Sequence, residues 1–278
     1  MASVSLTPSL KEEYQRLFDT CHLRPERAQT VEALVNKVTQ NRDRYSAISD
    51  SLRIPWYFIG VTHCMESSFR FDRHLHNGDP LTARTVQVPS GRPKTGEPPF
   101  TWEQSATDAL QIKKLDQVTD WSLSGTLYRL EAYNGFGYRS HHPEVRSPYL
   151  WSFSTHYTMG KYVADGTFSP TAVSKQCGAA VLLRRMAETG IIQFKPDGTP
   201  ITGLGKDNGD GTALFDKFGP LIRFSKKEKS PLAEELQKTL NTFPGIFLKV
   251  DGIAGERTSD AFKKVTGRFL FGDPRGKQ

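Results

Sequence analysis

The segment IPWYFIGVTHCMESSFRFDRHLHNGDPLTARTVQ, residues 54 to 87, starts as an apolar stretch and ends in a polar, turn-rich one. Pro55 has no amide hydrogen to donate and suits a first helical turn, and the residues after it are apolar on most sides. This pattern predicts a core helix with Glu66 near its C-terminal end. A carboxylate at the edge of an apolar core is poorly hydrated as an anion, so its pKa rises and it can hold the proton that a general acid donates. An ion pair of Glu66 with Arg70 or Arg73 is the simpler alternative.

Composition limits the function classes. The chain has 278 residues, enough for a sizeable core and for two domains. Its 37 basic and 30 acidic residues give a net charge of +7, which favours an anionic partner such as nucleic acid, a membrane surface or a wall polymer. The basic residues are scattered apart from one short cluster at 225–229, so we do not expect nucleic acid as the partner. The three cysteines form no closed disulfide framework, which is typical of synthesis in a reducing cytoplasm.

The N-terminal residues show no basic region followed by an apolar run, and no stretch approaches the roughly 18 apolar residues of a membrane span. We therefore expect synthesis in the cytoplasm without a Sec signal, and no stable insertion into a membrane. If the substrate lies outside the cytoplasm, a specialised secretion machine or a partner pore has to deliver the protein.

Helical periodicity predicts a mainly α fold with a small β element, of the α+β kind, over residues 1–190. A capping box is predicted between Thr101 and Gln104, and a helix starting at Ser122 is predicted to end at Gly135. Further helices are predicted over residues 9–18, 25–45 and 169–190, the last with Ser169 as N-cap and Pro170 in its first turn.

The β element is predicted at the alternating run from Thr85 to Val88, inside a long loop that extends from Phe71 to Pro99. A second stretch, residues 141–168, is rich in aromatic residues. Aromatic faces stack on sugar rings, but such a stretch lies more often in the core, and this is what we expect for its members, including Tyr149.

The composition changes after residue 190. Residues 191–230 are rich in Gly, Asp, Lys and Pro, with turn-forming pairs at 197–198, 208–209 and 210–211, and we expect a linker with a possible small hairpin. Helical periodicity returns in residues 231–278, first in PLAEELQKTLN and again after Thr258.

The C-terminal sequences LQKTLN and VDGIAGERTSDAFKKV resemble the peptidoglycan-binding domain found at the ends of many wall hydrolases, over about residues 231 to 268. The resemblance implies a tight turn at Asp251-Gly252 and Gly255, and a second helix capped by Thr258. It also implies that this module binds wall polymer without cutting it. Peptidoglycan is thus the expected partner.

Three motifs of the larger region resemble those of goose-type lysozymes and lytic transglycosylases: Glu66-Ser67, Val86-Gln87 and Ala132-Tyr133-Asn134-Gly135. The family's G-L-M-Q motif stands here as Arg-Thr-Val-Gln. The resemblance implies a lysozyme-like catalytic domain that cleaves the glycan backbone of peptidoglycan. It makes Glu66 the catalytic acid and places Ser67, Gln87, Tyr133 and Asn134 in the substrate site.

An inverting hydrolase also needs a carboxylate base with room for a water molecule. Asp79 matches an Asp of the goose-type pattern and is the candidate base, and Asp72 is the second choice. If Asp79 only shapes the turn after Asn77-Gly78, the enzyme would work as a transglycosylase in which Glu66 acts as acid and then as base. Hydrolysis and transglycosylation both stay open at this point.

Two other classes remain as alternatives. A zinc peptidase or amidase that cuts the peptide stems could draw ligands from Asp79 and from six of the seven histidines, which are His63, His74, His76, His141, His142 and His156. A wall-binding protein without catalysis is the other alternative. For the glycosidase we expect no metal, no cofactor and a monomer acting on the cell wall, as a phage endolysin, an effector or a wall-remodelling enzyme does.

Overall fold

The structure is a computed structural model that describes residues 4–164, 166–194, 211–219, 221–241, 243 and 246–276. The chain divides into two compact units, Met1–Met186 and Ala187–Gln278. The described residues are mainly helical, which confirms the predicted class, and they include one two-stranded antiparallel sheet.

The first unit contains nine helices and two strands among its described residues. The helices are α1 (Pro8–Asp19), α2 (Ala28–Gln40), α3 (Arg42–Leu52), α4 (Trp56–Ser67), α5 (Trp102–Ile112), α6 (Leu123–Asn134), α7 (Gly137–His141), α8 (Pro148–Trp151) and α9 (Ala179–Glu188), of which α9 extends past the unit boundary. The strands β1 (Lys161–Ala164) and β2 (Thr167–Ser169) form the sheet.

Helix α4 is the centre of this unit, as its apolar sequence predicts. Every residue from Tyr57 to Met65 is buried, and the helix packs against α2, α3 and α6. Burial of each large apolar side chain contributes about 1.5–3 kcal/mol relative to exposure, so this helix supplies much of the free energy that holds the unit together. The helix ends at Ser67 because Ser68 adopts the left-handed conformation with φ 52°.

Close packing at Gly60 brings α4 against α2 and α3. A Cβ atom added at Gly60 would lie 2.8 Å from Cγ1 of Val38 and 2.9 Å from the ring of Tyr45. Both neighbours are fully buried, so neither can move away freely.

The local capping predictions are confirmed. Thr101 and Gln104 form the reciprocal capping box at the start of α5. Ser122 accepts a hydrogen bond from the Gly125 amide at the start of α6, and Gly135 ends that helix with φ 91°. The three cysteines are buried.

Three other expectations are wrong. The helix predicted over residues 25–45 is divided at Asn41 into α2 and α3, after a short 3-10 turn at Pro25–Arg27. The helix predicted from Ser169 begins ten residues later, because Ser169 ends β2 and the next residues form a turn-rich connection.

The third error concerns the run from Thr85 to Val88, which forms no strand. The backbone closes on itself instead, with the Thr85 amide donating to the Arg92 carbonyl at 2.8 Å. Val86 and Val88 are 81% and 89% exposed, so the alternation that predicted a half-buried strand reflects two valines that project into solvent.

The second unit contains α10 (Gly211–Phe218), α11 (Pro231–Leu240) and α12 (Glu256–Thr266) among its described residues. Its core includes Leu214, Phe218 and Ile222, which come from the predicted linker, and Leu236, Leu240 and Phe262 from the two later helices. Part of the 191–230 stretch therefore belongs to the folded unit. The possible hairpin, with its turn pairs at 197–198 and 208–209, lies outside the described residues.

Helix boundaries in this unit follow the predicted pattern with one correction. Ser230 caps α11, and Gly252 takes the turn conformation with φ 74°. Gly255, not Thr258, is the N-cap of α12. Thr258 lies in the first turn instead, where its buried hydroxyl donates to the Ile253 carbonyl at 3.2 Å.

Gln237 connects α11 to the turn before α12. Its buried Oε1 accepts from the amides of Asp251 and Gly252 at 3.0 and 2.9 Å. Its Nε2 lies within hydrogen-bonding distance of Asp251 Oδ1, Ile253 O and Thr258 Oγ1, at 2.9 to 3.1 Å. One side chain thus satisfies most polar groups of this turn.

Replacing Gly60 with Ala should destabilise the first unit by about 1–3 kcal/mol, because the new methyl group overpacks the contact with Val38 and Tyr45. Chemical denaturation of the full chain measures this change. Gly137→Ala is the matched control, since a Cβ at Gly137 meets nothing closer than 3.6 Å. Equal stability of the two variants would contradict the close approach at Gly60.

Replacing Gln237 with Ala should destabilise the second unit by about 2–4 kcal/mol, because the amides of Asp251 and Gly252 lose their acceptor. Faster hydrogen exchange of the α11 and α12 amides in the full chain would report it. Lys238→Ala, at the exposed neighbouring position on the same helix, controls for the effect of alanine on helix stability. Unchanged exchange in Gln237→Ala would show that the turn does not depend on Gln237.

Candidate active site

Glu66 lies in the last turn of α4 with one carboxylate oxygen held and the other free. Its Oε1 accepts a hydrogen bond of 2.7 Å from the Tyr149 hydroxyl, while Oε2 makes no hydrogen bond within the described protein. Glu66 as a whole is exposed to solvent, although many protein atoms lie around its carboxylate. A proton on Oε2 would therefore be accessible to a molecule bound at the surface.

The surroundings of Glu66 raise its pKa above the ordinary value of 4.5. Loss of hydration is the largest cause, and it outweighs the Tyr149 hydrogen bond and the positive charge of Lys113, which both lower the pKa. This outcome agrees with the prediction from the apolar sequence of α4. A raised pKa is one of the properties that a general acid needs.

Two tyrosines lie beside the carboxylate. Burial, with the nearby charge of Glu66, raises the pKa of Tyr149 well above 10, so its phenol stays a neutral donor. The same two causes raise the pKa of Tyr133. The Tyr133 hydroxyl is buried without a hydrogen-bond partner in the described protein, which leaves a free donor next to Glu66.

Lys113 completes this group at the end of α5. Its Nζ lies 4.0 Å from the centroid of the Tyr133 ring and 3.5 Å from the Tyr133 carbonyl oxygen. Burial lowers the pKa of Lys113, and the opposite charge of Glu66 partly offsets that effect. Lys113 thus places a positive charge near the carboxylate without forming an ion pair with it at contact distance.

Local structure explains how these side chains meet. Tyr133 sits in the last turn of α6, which Gly135 terminates, and Tyr149 is the second residue of α8 after Pro148. Gln176 holds the end of α4, because its Nε2 donates to the Met65 carbonyl at 2.6 Å.

Tyr149, Lys113 and Gln176 are site residues that the sequence patterns did not predict. Tyr149 belongs to the aromatic-rich stretch that we expected mainly in the core, and it is indeed buried. No spacing in the sequence distinguishes its hydroxyl from those of its neighbours, since Tyr149 and Glu66 are 83 residues apart.

The alternative ion pair of Glu66 does not form. Arg70 and Arg73 both pair with Asp72, at 3.0 and 3.4 Å. The hydrogen bond from Arg70 lowers the pKa of Asp72, which is exposed. Asp72, the second choice for the catalytic base, therefore forms surface ion pairs just after the helix.

Two further predicted residues are next to Glu66 or Tyr133 in the sequence, and neither forms a hydrogen bond with the Glu66 carboxylate in the described protein. The Ser67 hydroxyl donates to the His63 carbonyl within the same helix at 3.3 Å. Asn134 is exposed at the end of α6, next to Tyr133, and its side chain makes no hydrogen bond within the described protein. Its amide is thus available to a bound molecule.

Asp79 and Gln87 lie together in a separate group. Oδ2 of Asp79 accepts from the amides of Val86 and Gln87 at 2.8 and 3.0 Å. These two bonds, led by that from Gln87, lower the pKa of Asp79. No hydrogen bond or ion pair joins Asp79 to Glu66 in the part of the chain that the structure describes. The observed contacts of Asp79 are those of a residue that shapes a loop.

The histidines are dispersed through the first unit. His63 is buried between aromatic rings, which lowers its pKa to about 4, and its Nδ1 lies 3.1 Å from the Tyr45 hydroxyl. His74 and His76 contact Ser105 and Asp108 on α5. Among the described residues, no group of three or more His, Cys, Asp or Glu side chains has the arrangement of a metal site.

The second unit carries an open groove of about 340 Å³ beside the turn that Gln237 organises. Its charged lining residues are Lys226, Lys249, Arg257, Asp251 and Glu256. Lys226 and Glu256 pair at 2.6 Å, so the remaining charges give the groove a slightly basic character.

Comparison of the chain with protein-family models, with curated proteins and with solved structures finds no match. None of the helices in the described ranges has the length and apolar character needed to cross a membrane.

Replacing Glu66 with Gln should stabilise the protein increasingly as the pH rises. The pKa of Glu66 is higher in the folded state than in the unfolded one, so its ionisation above about pH 4.5 destabilises the folded state, and Gln removes that effect. The amide oxygen can still accept from Tyr149. We expect the two melting temperatures to agree near pH 4 and that of Glu66→Gln to exceed the wild type by a few degrees at pH 7.

Glu12→Gln is the control for removal of one negative charge, because Glu12 is exposed on α1 and makes no ion pair among the described residues. A difference between Glu66→Gln and wild type that does not change with pH would contradict the raised pKa.

Proposed function

We propose that this protein cleaves the β-1,4 glycan backbone of bacterial peptidoglycan, with Glu66 as the general acid. The observation that carries this proposal is the carboxylate itself. It has a raised pKa, one oxygen is fixed by Tyr149, and the other is free and accessible. The lysozyme-like motifs and the wall-binding motifs in the sequence point to the same substrate.

The first chemical step is protonation of the glycosidic oxygen by Oε2 of Glu66, as an oxocarbenium-like centre forms on the sugar. As the proton leaves, negative charge develops on the carboxylate. The Tyr149 hydroxyl and the Lys113 charge favour that anion, so their effect is larger in the transition state than in the resting acid. The buried Tyr133 hydroxyl, which has no hydrogen-bond partner in the described protein, is a candidate donor to the developing charge.

Two routes lead on from this step. In hydrolysis a second carboxylate activates water, and Asp79 is the candidate for it. In transglycosylation Glu66 takes a proton back from the substrate and a 1,6-anhydro ring closes. The hydrogen bonds from the Val86 and Gln87 amides make Asp79 a weak base and favour a positioning role for it. Transglycosylation needs no second carboxylate as base, so the observed contacts of Asp79 favour this route.

Binding of the polymer would involve both units. In the first, the exposed amides of Gln87 and Asn134 suit contacts with sugar hydroxyl and acetamido groups, and Ser67 lies beside the acid. In the second, the groove next to Gln237 is the candidate wall-binding site. We propose that the protein acts as a monomer on the cell wall and that its net positive charge aids attachment, which salt would weaken.

Mass spectrometry of the products released from purified peptidoglycan tests this proposal. Wild type, Glu66→Gln and Glu12→Gln are compared with EDTA present throughout. We expect reducing-end sugars or 1,6-anhydro ends from wild type and from Glu12→Gln, and about 10²- to 10⁴-fold less product from Glu66→Gln. The type of sugar end identifies the second step.

Two other outcomes would support the alternative classes, which are a zinc peptidase and a wall-binding protein without catalysis. Cut peptide stems in a separate EDTA-free control would indicate a zinc peptidase and would contradict the role of Glu66. Wild-type protein that sediments with peptidoglycan but releases no product would indicate a binding protein.

A further inference from the structure

The loop that follows α4 is closed by its own hydrogen bonds. We call residues 77–92 the 77–92 loop. At its start the His74 amide donates to the Asp79 carbonyl at 2.8 Å, and the Leu81 amide donates to the Asp72 carbonyl at 3.2 Å. The Thr85 to Arg92 hydrogen bond closes its second half at 2.8 Å. The loop thus has a defined shape without regular secondary structure.

Asn77 and Asp79 join the two halves of the loop. The carboxylate of Asp79 accepts from the amides of Val86 and Gln87, and Nδ2 of Asn77 donates to the Gln87 carbonyl at 3.0 Å. These bonds fix the backbone on both sides of Gln87. The Gln87 side chain stays exposed.

Helix α5 anchors this loop through Asp108. Nε and Nη2 of Arg92 donate to the two oxygens of Asp108 at 2.9 and 2.5 Å, and Nε2 of His76 lies 2.7 Å from Oδ2 of the same carboxylate. Arg92 and Asp108 are only 16% and 15% exposed, and the His76 side chain is buried. A forked, largely dehydrated pair of this kind is strong and directional.

His74 adds a second anchor one turn away on α5. One ring nitrogen lies 2.8 Å from the Ser105 hydroxyl, and the other lies 2.8 Å from the Ala83 carbonyl inside the loop. His74 and Ser105 are fully buried. The loop is therefore connected to α5 just before its start by His76, in its middle by His74 at Ala83, and at its end by Arg92.

The tip of this anchored loop presents Val86, Gln87 and Val88 to solvent. Val86 and Val88 are 81% and 89% exposed, so burial of their side chains does not stabilise the fold. The loop that carries them is nevertheless held by many hydrogen bonds. A preformed binding element loses little conformational entropy when its ligand arrives. The base of the loop is held at Asp72, whose carbonyl accepts from the Leu81 amide. Asp72 is six residues from Glu66 and hence at most about 20 Å away, a distance that a polymeric substrate can cover.

We propose that His76, Arg92 and Asp108 are positioning residues for the reaction, and that they hold Val86, Gln87 and Val88 as a rigid contact for the glycan strand. The Gln87 amide would bond hydroxyl or acetamido groups, and the valines would contact the methyl groups of the acetamido and lactyl substituents. This inference rests on the proposed glycosidase function, and it assigns substrate binding to the loop and proton transfer to Glu66.

Asp108→Asn tests the anchor, with Asp50→Asn as the control at an exposed helical position without an ion pair among the described residues. The measurements are KM and kcat on soluble glycan strands, and hydrogen exchange of the Val86 and Gln87 amides. We expect KM to rise about tenfold, kcat to stay within about twofold with an unchanged pH profile, and exchange to become about tenfold faster. A fall in kcat at unchanged KM, or unchanged KM and exchange, would overturn the assignment.

The double variant Val86→Thr/Val88→Thr tests the contact without disturbing the anchor, since both side chains are exposed. We expect KM to rise about threefold to tenfold while exchange of the loop amides stays as in the wild type. Unchanged KM in this variant would remove the valines from the substrate site.

Failure of the proposed function gives a different result from failure of the loop assignment. If the wild type cleaves no glycan, the glycosidase proposal fails, and the substrate role of the loop fails with it. Exchange in Asp108→Asn then still decides whether Asp108 anchors the loop. If the wild type cleaves glycan but neither Asp108→Asn nor Val86→Thr/Val88→Thr changes KM, the loop assignment fails and the glycosidase proposal stands.

Discussion

Burial of α4 along nine consecutive residues is the interaction on which the rest of the first unit depends. A helix that is apolar on every side must be surrounded, and α2, α3 and α6 supply the surrounding surface. The next residue after this buried run is Glu66. Its position follows from where the apolar sequence stops, and the negative end of the helix dipole adds to the loss of hydration in disfavouring its anion. The position of Glu66 and the buried core thus follow from the same sequence pattern.

The groups around Glu66 have opposite effects on its pKa, and this combination suits the proposed role as a general acid. Loss of hydration favours the protonated carboxyl, while Tyr149 and Lys113 favour the anion that would remain after proton transfer. Neither of these two groups reverses the raised pKa. A stronger partner, such as an arginine at contact distance, would lower the pKa and remove the proton, and the two nearest arginines in the sequence are instead engaged by Asp72.

The contrast with Asp79 shows how the same functional group takes another role. Asp79 lies in a loop, accepts two backbone amides and has a lowered pKa, so it stays charged and gives the loop its shape. In the proposed mechanism the anchored loop binds the glycan and Glu66 performs the chemistry. A glycan strand is long enough for the loop and Glu66 to contact the same substrate molecule.

Local rules predicted much of this structure. The helix that carries Glu66, the capping box at Thr101, the start of α6 at Ser122 and its end at Gly135 depend on residues close in sequence, and all are observed. Tyr149 and Lys113 could not be predicted as partners of Glu66, because the contact depends on how distant helices pack. The predicted strand at 85–88 was wrong because alternation alone cannot distinguish a half-buried strand from a loop whose hydrogen bonds are satisfied by Asp79 and Arg92.

The most direct test of the proposed role of Glu66 is its pKa. A ¹³C NMR titration of its carboxyl carbon, assigned by comparison with Glu66→Gln, would measure the pKa in the wild type and in Tyr149→Phe. We predict a midpoint above 4.5 in the wild type and a higher one in Tyr149→Phe, because the phenylalanine cannot stabilise the anion. A wild-type midpoint at or below 4.5, or a lower one in Tyr149→Phe, would contradict the assignment of Glu66 as the acid.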